Sequence, residues 1–299
     1  MKSGFVSIIG MPNVGKSTLI NRLVGFRVAI TSKKAQTTRD IIRGIYTDEN
    51  RGQIVFVDTP GIQKPRNVLG EYMIKASLCM IKDVDAIIFV IEPNSYISEK
   101  EQEVIERLKN VDCPVILAIN KIDKINKEKL LDIIDVYSKE LNFSDILPIS
   151  AIEGENIDKL LDIVYEKLQE GPYYYDEDMV TDKLEREIIA EIVREKVLEL
   201  VDDEIPHGIA VLIDEVSFRE NKKLADVMAT IVCERETHKG ILIGKKGSML
   251  KKIGTLSRQD IQDLLGMKVN LKLFVKVRKD WRLSQGFVKE YGYNLKDLN

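Results

Sequence analysis

Short apolar runs alternate with amphipathic segments through the first half of the chain. Segments such as 98–109 and 128–141 carry apolar residues at helical spacing and separate runs rich in Val and Ile. Runs this short that are apolar on both faces are typical of parallel strands covered by helices. They occupy residues 5–9, 54–57, 86–91, 115–119 and 146–149. With residues 41–46 pairing against 54–57 as an antiparallel edge hairpin, the pattern predicts a doubly wound α/β domain with a mostly parallel sheet.

The alternation ends near Gln169, and a different pattern follows. Residues 170–178 contain Gly, Pro and a cluster of acids without any period, which predicts a linker. The next segments predict, in order, a helix at 182–201, strands at 208–218 and 225–234, helices within 239–265, a strand at 269–277 and a helical stretch at 281–298. This order predicts a smaller α+β domain. We therefore divide the chain into a first domain at 1–170, a linker at 171–181 and a second domain at 182–299.

Composition agrees with two globular domains. The 299 residues are 44% hydrophobic and 31% charged, which is ordinary for a chain that buries two cores. Cys79, Cys113 and Cys233 lie far apart, which argues against a disulfide framework or a zinc site. The sequence shows neither a signal peptide nor an apolar stretch of the roughly 20 residues that span a bilayer. We therefore expect a cytoplasmic protein.

A glycine-rich loop directly follows the first predicted strand and precedes a helical stretch at 18–24. It matches the pattern G-x-x-x-x-G-K-[ST], in which backbone amides and a helix N-terminus surround a phosphate. Lys16 is expected to bridge the β- and γ-phosphates and to act in catalysis, and the Ser17 hydroxyl is expected to ligate Mg²⁺. The candidate nucleotide-binding residues here are Gly10, Met11, Pro12, Asn13, Val14, Gly15, Lys16, Ser17 and Thr18.

A second loop, Asp58-Thr59-Pro60-Gly61, follows the run at 54–57 and is also assigned to the nucleotide. A carboxylate that ends a strand near a phosphate-binding loop is placed to hold Mg²⁺, so Asp58 is a further candidate metal ligand. The Gly61 amide is expected to approach the γ-phosphate. Ile62 stands where many GTPases carry a water-orienting glutamine, so hydrolysis is expected to be slow alone or to need another group or a partner.

Thr37 and Thr38 lie in a polar stretch between the first helix and the edge strand. A threonine here can close over Mg²⁺ and the γ-phosphate in the GTP state, as a metal ligand and a catalytic residue. We favour Thr38, although the sequence leaves the choice between the two open.

Two further loops indicate which base is bound. Asn120-Lys121-Ile122-Asp123 follows the run at 115–119, and Ser150-Ala151 follows the run at 146–149. Asp123 can accept hydrogen bonds from guanine N1–H and N2–H₂, donors that adenine lacks at this edge. The Ala151 amide is expected to reach guanine O6. All these loops follow strands, at the edge where open α/β sheets bind ligands, and together they favour GTP over ATP.

The second half contains a strongly basic segment. Residues 239–282 carry 12 Lys or Arg against three Asp, whereas residues 182–205 carry nine acids against four bases. Within it, a G-x-x-G loop with two lysines resembles the loop of a KH domain, which clamps about four unpaired nucleotides. The lysines would neutralise phosphates. The candidate RNA-binding residues are Ile243, Gly244, Lys245, Lys246, Gly247, Lys251 and Lys252.

The combination of these nucleotide loops with a KH-like segment resembles the Era family of bacterial ribosome-assembly GTPases over essentially the whole chain. The resemblance implies GTP or GDP and Mg²⁺ as ligands, binding to the 3′ end of 16S ribosomal RNA, and a role in maturing the small ribosomal subunit. It also implies a type II KH fold and, for some members, loose contact with the inner face of the cell membrane. Asn13 resembles the asparagine that holds a monovalent cation in potassium-stimulated relatives, which makes K⁺ a further candidate cofactor.

We interpret the chain as a GTPase, expected to be monomeric, whose nucleotide state controls an RNA-binding domain. One alternative is an RNA chaperone that uses GTP only as a structural ligand, but Lys16, Ser17 and Asp58 are all intact. The other is a metabolic ATPase, which the Asn120 to Asp123 loop argues against. Trp281 is expected to be a packing anchor rather than a platform for stacking bases.

Overall fold

The computed structural model describes residues 1–32, 34, 37–60, 65, 67–126, 128–202, 205–219 and 223–294, with the backbone alone at 77–82. These residues form two sheets, one of six strands and one of three.

The six-stranded sheet lies in the first half, in the spatial order β2-β3-β1-β4-β5-β6. Neighbouring strands run parallel except β2 and β3, which form the predicted antiparallel hairpin. Every residue of β3, β4 and β5 is buried, as expected of strands covered on both faces. The strands are β1 (Lys2–Gly10), β2 (Ile42–Asp48), β3 (Gly52–Asp58), β4 (Ala86–Ile91), β5 (Val115–Ile119) and β6 (Asp145–Pro148).

Helices cover both faces of this sheet, which confirms the predicted fold class. On one face α1 (Lys16–Val24) and α5 (Ile157–Lys167) pack against Val6 and Ile8 of β1. On the other face α3 (Glu99–Leu108) and α4 (Glu128–Ser138) share a core with Ile9 and with β4 and β5. The separate helix α2 (Val68–Lys82) is capped by Asn67, whose side chain accepts a hydrogen bond from Gly70 N.

The second sheet has the order β7-β8-β9, with β7 antiparallel and β9 parallel to β8. Its helices share one core with the inner faces of these strands. The element order confirms the predicted helix, strand, strand, helix, helix, strand. The elements are α6 (Glu185–Leu200), β7 (Ala210–Arg219), β8 (Leu224–Cys233), α7 (Glu236–Ile243), α8 (Ser248–Leu265) and β9 (Lys268–Val277).

The helix predicted at 281–298 is wrong in extent. A short 3₁₀ turn at Trp281–Leu283 comes first, and α9 covers only Gln285–Glu290. Ser284 caps α9 by accepting from Phe287 N, and Gly292, at φ 94°, turns the chain shortly after the helix ends. Residues 295–299 lie outside the described part of the chain. Within the described ranges, no helix has both the length and the apolar character needed to cross a membrane.

The segment predicted as a linker packs against β1, β3 and β2 of the first sheet. Gln53 of β3 holds it, because the side-chain oxygen accepts from Tyr174 N and Tyr175 N at 2.9 and 3.0 Å. Further along, Ile45 N donates to Val180 O at 2.9 Å. The connection between the halves is therefore held to the first sheet by hydrogen bonds from both a side chain and the backbone.

One apolar cluster joins the two halves. Ile41, Val57 and four residues of α2 meet residues from β7, β8 and the C-terminal turn and helix. Trp281 at its centre is fully buried, and its indole N–H donates to Gly208 O at 2.9 Å. Burial excludes base stacking, so the expectation of a packing anchor is confirmed. We call the set the interdomain cluster: Ile41, Val57, Leu69, Tyr72, Met73, Ala76, Ala210, Val232, Trp281, Val288 and Tyr291.

Candidate functional site

The loops after β1, β3, β5 and β6 meet at one edge of the first sheet, as the carboxyl ends of parallel strands must. A cavity of about 590 Å³ opens there. The glycine-rich loop lines it through Pro12, Asn13, Gly15, Lys16, Ser17 and Thr18. Its size suits a nucleotide.

The glycine-rich loop needs glycine at position 15. Gly15 has φ 102°, and a Cβ there would lie 2.3 Å from Asn120 Nδ2. Lys16 bends back over the loop and donates to the carbonyl oxygens of Gly10 and Met11, both at 3.1 Å. Burial lowers the pKa of Lys16, and the nearby charge of Asp58 partly offsets this. Val14 is buried in the core, so only its backbone is available to the site.

Three oxygen-bearing side chains converge beside Lys16. Ser17 Oγ donates to Asp58 Oδ2 at 3.0 Å, and Thr38 Oγ1 lies 3.1 Å from Ser17 Oγ and 3.4 Å from the same carboxylate oxygen. The other oxygen, Asp58 Oδ1, is buried and has no hydrogen-bond partner among the described residues. Burial raises the pKa of Asp58, against the opposing effect of Lys16. A carboxylate with one unsatisfied oxygen beside two hydroxyls fits Mg²⁺, which prefers hard oxygen ligands.

The structure distinguishes the two neighbouring threonines. Thr38 is buried and faces Ser17 and Asp58, whereas the Thr37 hydroxyl donates to Lys34 O at 2.6 Å. The geometry therefore supports Thr38 over Thr37 as the residue that meets a metal ion. Thr59 is buried directly after Asp58. Gly61 and Ile62, expected near the γ-phosphate, lie outside the described residues.

The two base loops are joined by side chains. Asn120 Nδ2 donates to Val14 O at 2.8 Å, and Lys121 Nζ donates to Asn13 O at 2.6 Å, so both residues hold the glycine-rich loop. Ser150 Oγ donates to Asp123 Oδ1 at 2.6 Å. The Ser150 bond orients the exposed Asp123 through one carboxylate oxygen, although Asp123 is not among the residues that line the cavity.

The Ala151 amide, expected to reach guanine O6, makes a hydrogen bond within the protein in this structure. It donates to Asn120 Oδ1 at 3.0 Å, and Ala151 itself is buried. In this conformation the amide holds the loop after β6 against the loop after β5 rather than facing a base. Asn120 therefore links the loop after β6 to the glycine-rich loop.

The G-x-x-G loop lies between α7 and α8, as the pattern predicts. Gly244 has φ 72°, and a Cβ there would lie 2.8 Å from Met249 N, so glycine is required for the tight turn. Lys245, Lys246, Lys251 and Lys252 are all exposed. The loop therefore presents a basic surface, while Ile243 is half-buried beside it.

Comparison with known proteins matches each half of the chain to a described family. A family model described as 50S ribosome-binding GTPase matches residues 5–121, and one described as KH domain matches residues 204–282. GTPase Era of Clostridioides difficile strain 630 is 52% identical over 294 residues, covering 98% of this chain and 99% of that protein. GTPase Era of Alkaliphilus oremlandii is 50% identical over 98% of this chain and 99% of that protein.

The chain belongs to the Era family of GTPases. The fold agrees with that of a variant of Aquifex aeolicus Era bound to GDP·AlF₄⁻, with a TM-score of 0.94 at 41% identity, covering 99% of this chain and 100% of the other. Era in complex with MgGDPNP and nucleotides 1506–1542 of 16S ribosomal RNA gives a TM-score of 0.95 at 41% identity, with the same coverage. As an Era-family member, the chain is an enzyme that binds and hydrolyses GTP.

In this Era-family chain, part of the cavity wall was not predicted from the sequence. Thr31, Ser32, Lys34 and Lys124 also line it; Lys124 directly follows Asp123 and could have been found by its position. Leu198 and Glu199 of α6 line it too, so the second half contributes to the nucleotide cavity. No pattern in the acidic helix signals that contact.

Proposed function

We propose that the cavity described above is where this chain hydrolyses GTP and that its nucleotide state controls RNA binding by the G-x-x-G loop. The observation that carries the catalytic part is the convergence of Ser17 and Thr38 on Asp58, whose second oxygen has no partner among the described residues. These three side chains are the proposed Mg²⁺ ligands. Mg²⁺, when bound, neutralises charge on the phosphates.

The protein groups have separate tasks in this proposal. Lys16 exchanges the carbonyl oxygens of Gly10 and Met11 for the β- and γ-phosphates, to which an ammonium binds more strongly. Asp123, oriented by Ser150, accepts from guanine N1–H and N2–H₂. The remaining residues of the motif loops, including Thr18, Thr59, Pro60 and Ala151, are proposed nucleotide-binding residues, as is Gly61, which lies outside the described residues. Lys16 and Thr38 are the proposed catalytic residues.

The RNA part of the proposal rests on the exposed lysines of the G-x-x-G loop and on the Era complex with nucleotides 1506–1542 of 16S ribosomal RNA. We propose the same 3′ end as the target here, with Lys245 and Lys246 on phosphates. Assembly of the small ribosomal subunit is the corresponding proposed role.

Family resemblance is the support for the remaining assignments. These are a K⁺ ion near Asn13 and peripheral contact with the inner face of the cell membrane. A monomeric state and a cytoplasmic location are proposed as well. The two domains proposed are residues 1–170 and 182–299, joined by 171–181.

One experiment tests the coupled function. RNA is crosslinked to the protein in the presence of GTP or of GDP, recovered and sequenced. Enrichment of the 16S 3′ end that changes with the nucleotide supports the proposal. Equal recovery in both states, together with no turnover of GTP, would instead indicate an RNA chaperone that uses GTP as a structural ligand.

A further inference from the structure

Two buried arginines connect the residues on either side of Thr38 to the second half of the chain. Arg39 donates through its guanidinium to Pro206 O at 3.2 Å, to His207 O at 3.0 Å and to Ile209 O. Arg194, on α6, donates to the carbonyl oxygen of Thr37. The backbone before and after Thr38 is therefore held by the second half of the chain.

Arg194 is itself oriented by its own helix. Glu191, one turn earlier, accepts from Arg194 Nε at 2.7 Å and from Nη2 at 2.6 Å. Arg194 is 1% exposed. A planar guanidinium held at two points has its remaining N–H directions fixed, so the bond to Thr37 O has a defined geometry.

Glu195, the residue after Arg194, also binds the segment that leads to Thr38. Glu195 Oε1 accepts from Thr31 N at 2.9 Å and from Thr31 Oγ1 at 3.1 Å. Glu195 also pairs with Arg27, which forms a second ion pair with Asp260 of α8 at 2.7 Å. One turn of α6 thus contacts both ends of the stretch that leads from α1 to Thr38.

The Thr38 side chain makes hydrogen bonds with the described residues only at distances of 3.1 Å or more, so its position depends on how the backbone beside it is held. Its hydroxyl lies 3.1 Å from Ser17 Oγ and 3.4 Å from Asp58 Oδ2. A hydroxyl that ligates a metal ion must stay within a few tenths of an ångström of its place, and a backbone anchor one residue away restricts it most directly.

We propose that Arg194 is a positioning residue for GTP hydrolysis, which holds Thr38 beside Asp58 from the second domain. This inference rests on the proposed role of Thr38 at the metal. If Arg194 holds Thr38 in this way, the Mg²⁺-dependent step depends on how α6 packs against the first domain. GDP has no γ-phosphate to be closed over, so binding of GDP does not need the anchored Thr38.

The test compares Arg194→Met, which keeps most of the side-chain volume, with Arg194→Lys, which keeps one donor. Glu191→Gln weakens the orientation of Arg194 without removing it. The matched control is Asp182→Asn, which breaks the 2.7 Å ion pair with Arg43, another contact between α6's flanking segment and the first domain that does not involve Thr37 or Thr38. Turnover of GTP is measured against Mg²⁺ concentration, with GDP affinity and melting temperature alongside.

Arg194→Met is expected to raise the Mg²⁺ concentration for half-maximal turnover about tenfold and to lower kcat about tenfold, the scale of one lost charge-assisted bond. KM for GTP and the affinity for GDP should stay within about twofold, since the loop contacts remain. Arg194→Lys should recover part of the loss, and Glu191→Gln should show a smaller shift. In metal-free protein, amide hydrogen exchange of the peptide at 37–42 should become faster in Arg194→Met and remain unchanged in Asp182→Asn.

A double-mutant cycle with Thr38→Ala completes the test. If Arg194 acts through Thr38, the double variant is no slower than Thr38→Ala alone. Additive losses, an unchanged Mg²⁺ requirement in Arg194→Met, or an equal shift in Asp182→Asn would overturn the inference. If Thr38→Ala itself behaves like the unaltered protein, the proposed metal role of Thr38 fails instead, which is a separate result.

Discussion

Ser150 donates a hydrogen bond of 2.6 Å from its hydroxyl to one carboxylate oxygen of Asp123. The bond leaves the second oxygen to accept from a base, and it fixes the direction from which the base is read.

Asp123→Asn is expected to shift preference from guanine to xanthine nucleotides. The amide presents a donor where guanine also presents one, whereas xanthine presents a carbonyl oxygen. Titration of GTP and xanthosine triphosphate against the variant measures the change, which we expect to exceed about tenfold. Asp135→Asn, at an exposed carboxylate, is the control and should leave selectivity alone. An unaltered preference for GTP in Asp123→Asn would remove this residue from base recognition.

Lys16→Ala should weaken GTP binding or turnover by about a hundredfold or more, because the buried ammonium is proposed to bridge two phosphates. Ser17→Ala should act differently, raising the Mg²⁺ concentration that turnover requires. Steady-state hydrolysis over a Mg²⁺ series separates the two effects. Lys129→Ala, at an exposed lysine, serves as the control. Turnover at the normal rate in either site variant would contradict the proposed arrangement.

Potassium should stimulate hydrolysis if the backbone and side chain near Asn13 hold a monovalent cation. Asn13 has φ 68°, which turns the loop sharply at the edge of the cavity. Hydrolysis is measured in KCl and in NaCl at equal ionic strength, with Asn13→Asp and Asn13→Ala beside the unaltered protein. Higher turnover in KCl that is lost in Asn13→Ala supports the ion. Equal rates in both salts would exclude it.

Replacing both Lys245 and Lys246 by Asp should abolish most RNA affinity, because two repulsive charges then face the phosphates. The log–log dependence of affinity on salt should also fall, by roughly one unit at most for each lost contact. GTP binding and the melting temperature should barely change, since exposed charges contribute little to stability. The same change at Lys100 and Lys129 is the control. RNA affinity with an unaltered salt slope would show that the loop is not the clamp.

Trp281→Ala is expected to lower the free energy of unfolding by about 3–5 kcal/mol, as for other large buried side chains. It also leaves Gly208 O without its indole partner. Leu283→Ala, two residues away and 60% exposed, should cost no more than about 0.5 kcal/mol. Denaturant unfolding compares the two. Similar losses in both variants would contradict the central place of Trp281 in the interdomain cluster.

The sequence was sufficient for features that are local along the chain. The loops around Lys16, Asp58, Asn120 and Ser150 each follow a strand, and parallel strands bring their carboxyl ends together whatever the rest of the fold does. The order of elements in the second half was readable for the same reason, because each element carries its own period.

Contacts between distant segments were not predictable in this way. Arg194 lies in a helix with many charges, where a charged residue most often faces solvent, yet it is buried against Thr37. The Ala151 amide was assigned to a base, but its nearest acceptor is the side chain of Asn120. Helix α9 ends early because Gly292 turns the chain back, which helical periodicity alone does not reveal.

The interdomain cluster also bears on how the chain is made. Synthesis delivers α2 long before Trp281, Val288 and Tyr291, so the apolar face of α2 stays uncovered while the intervening residues are added. A nascent chain that pauses before residue 281 therefore exposes apolar residues of α2 to solvent, although its first sheet is already complete. We expect such arrested chains to be held by chaperones or degraded, and the finished protein to escape both once the tryptophan closes over α2.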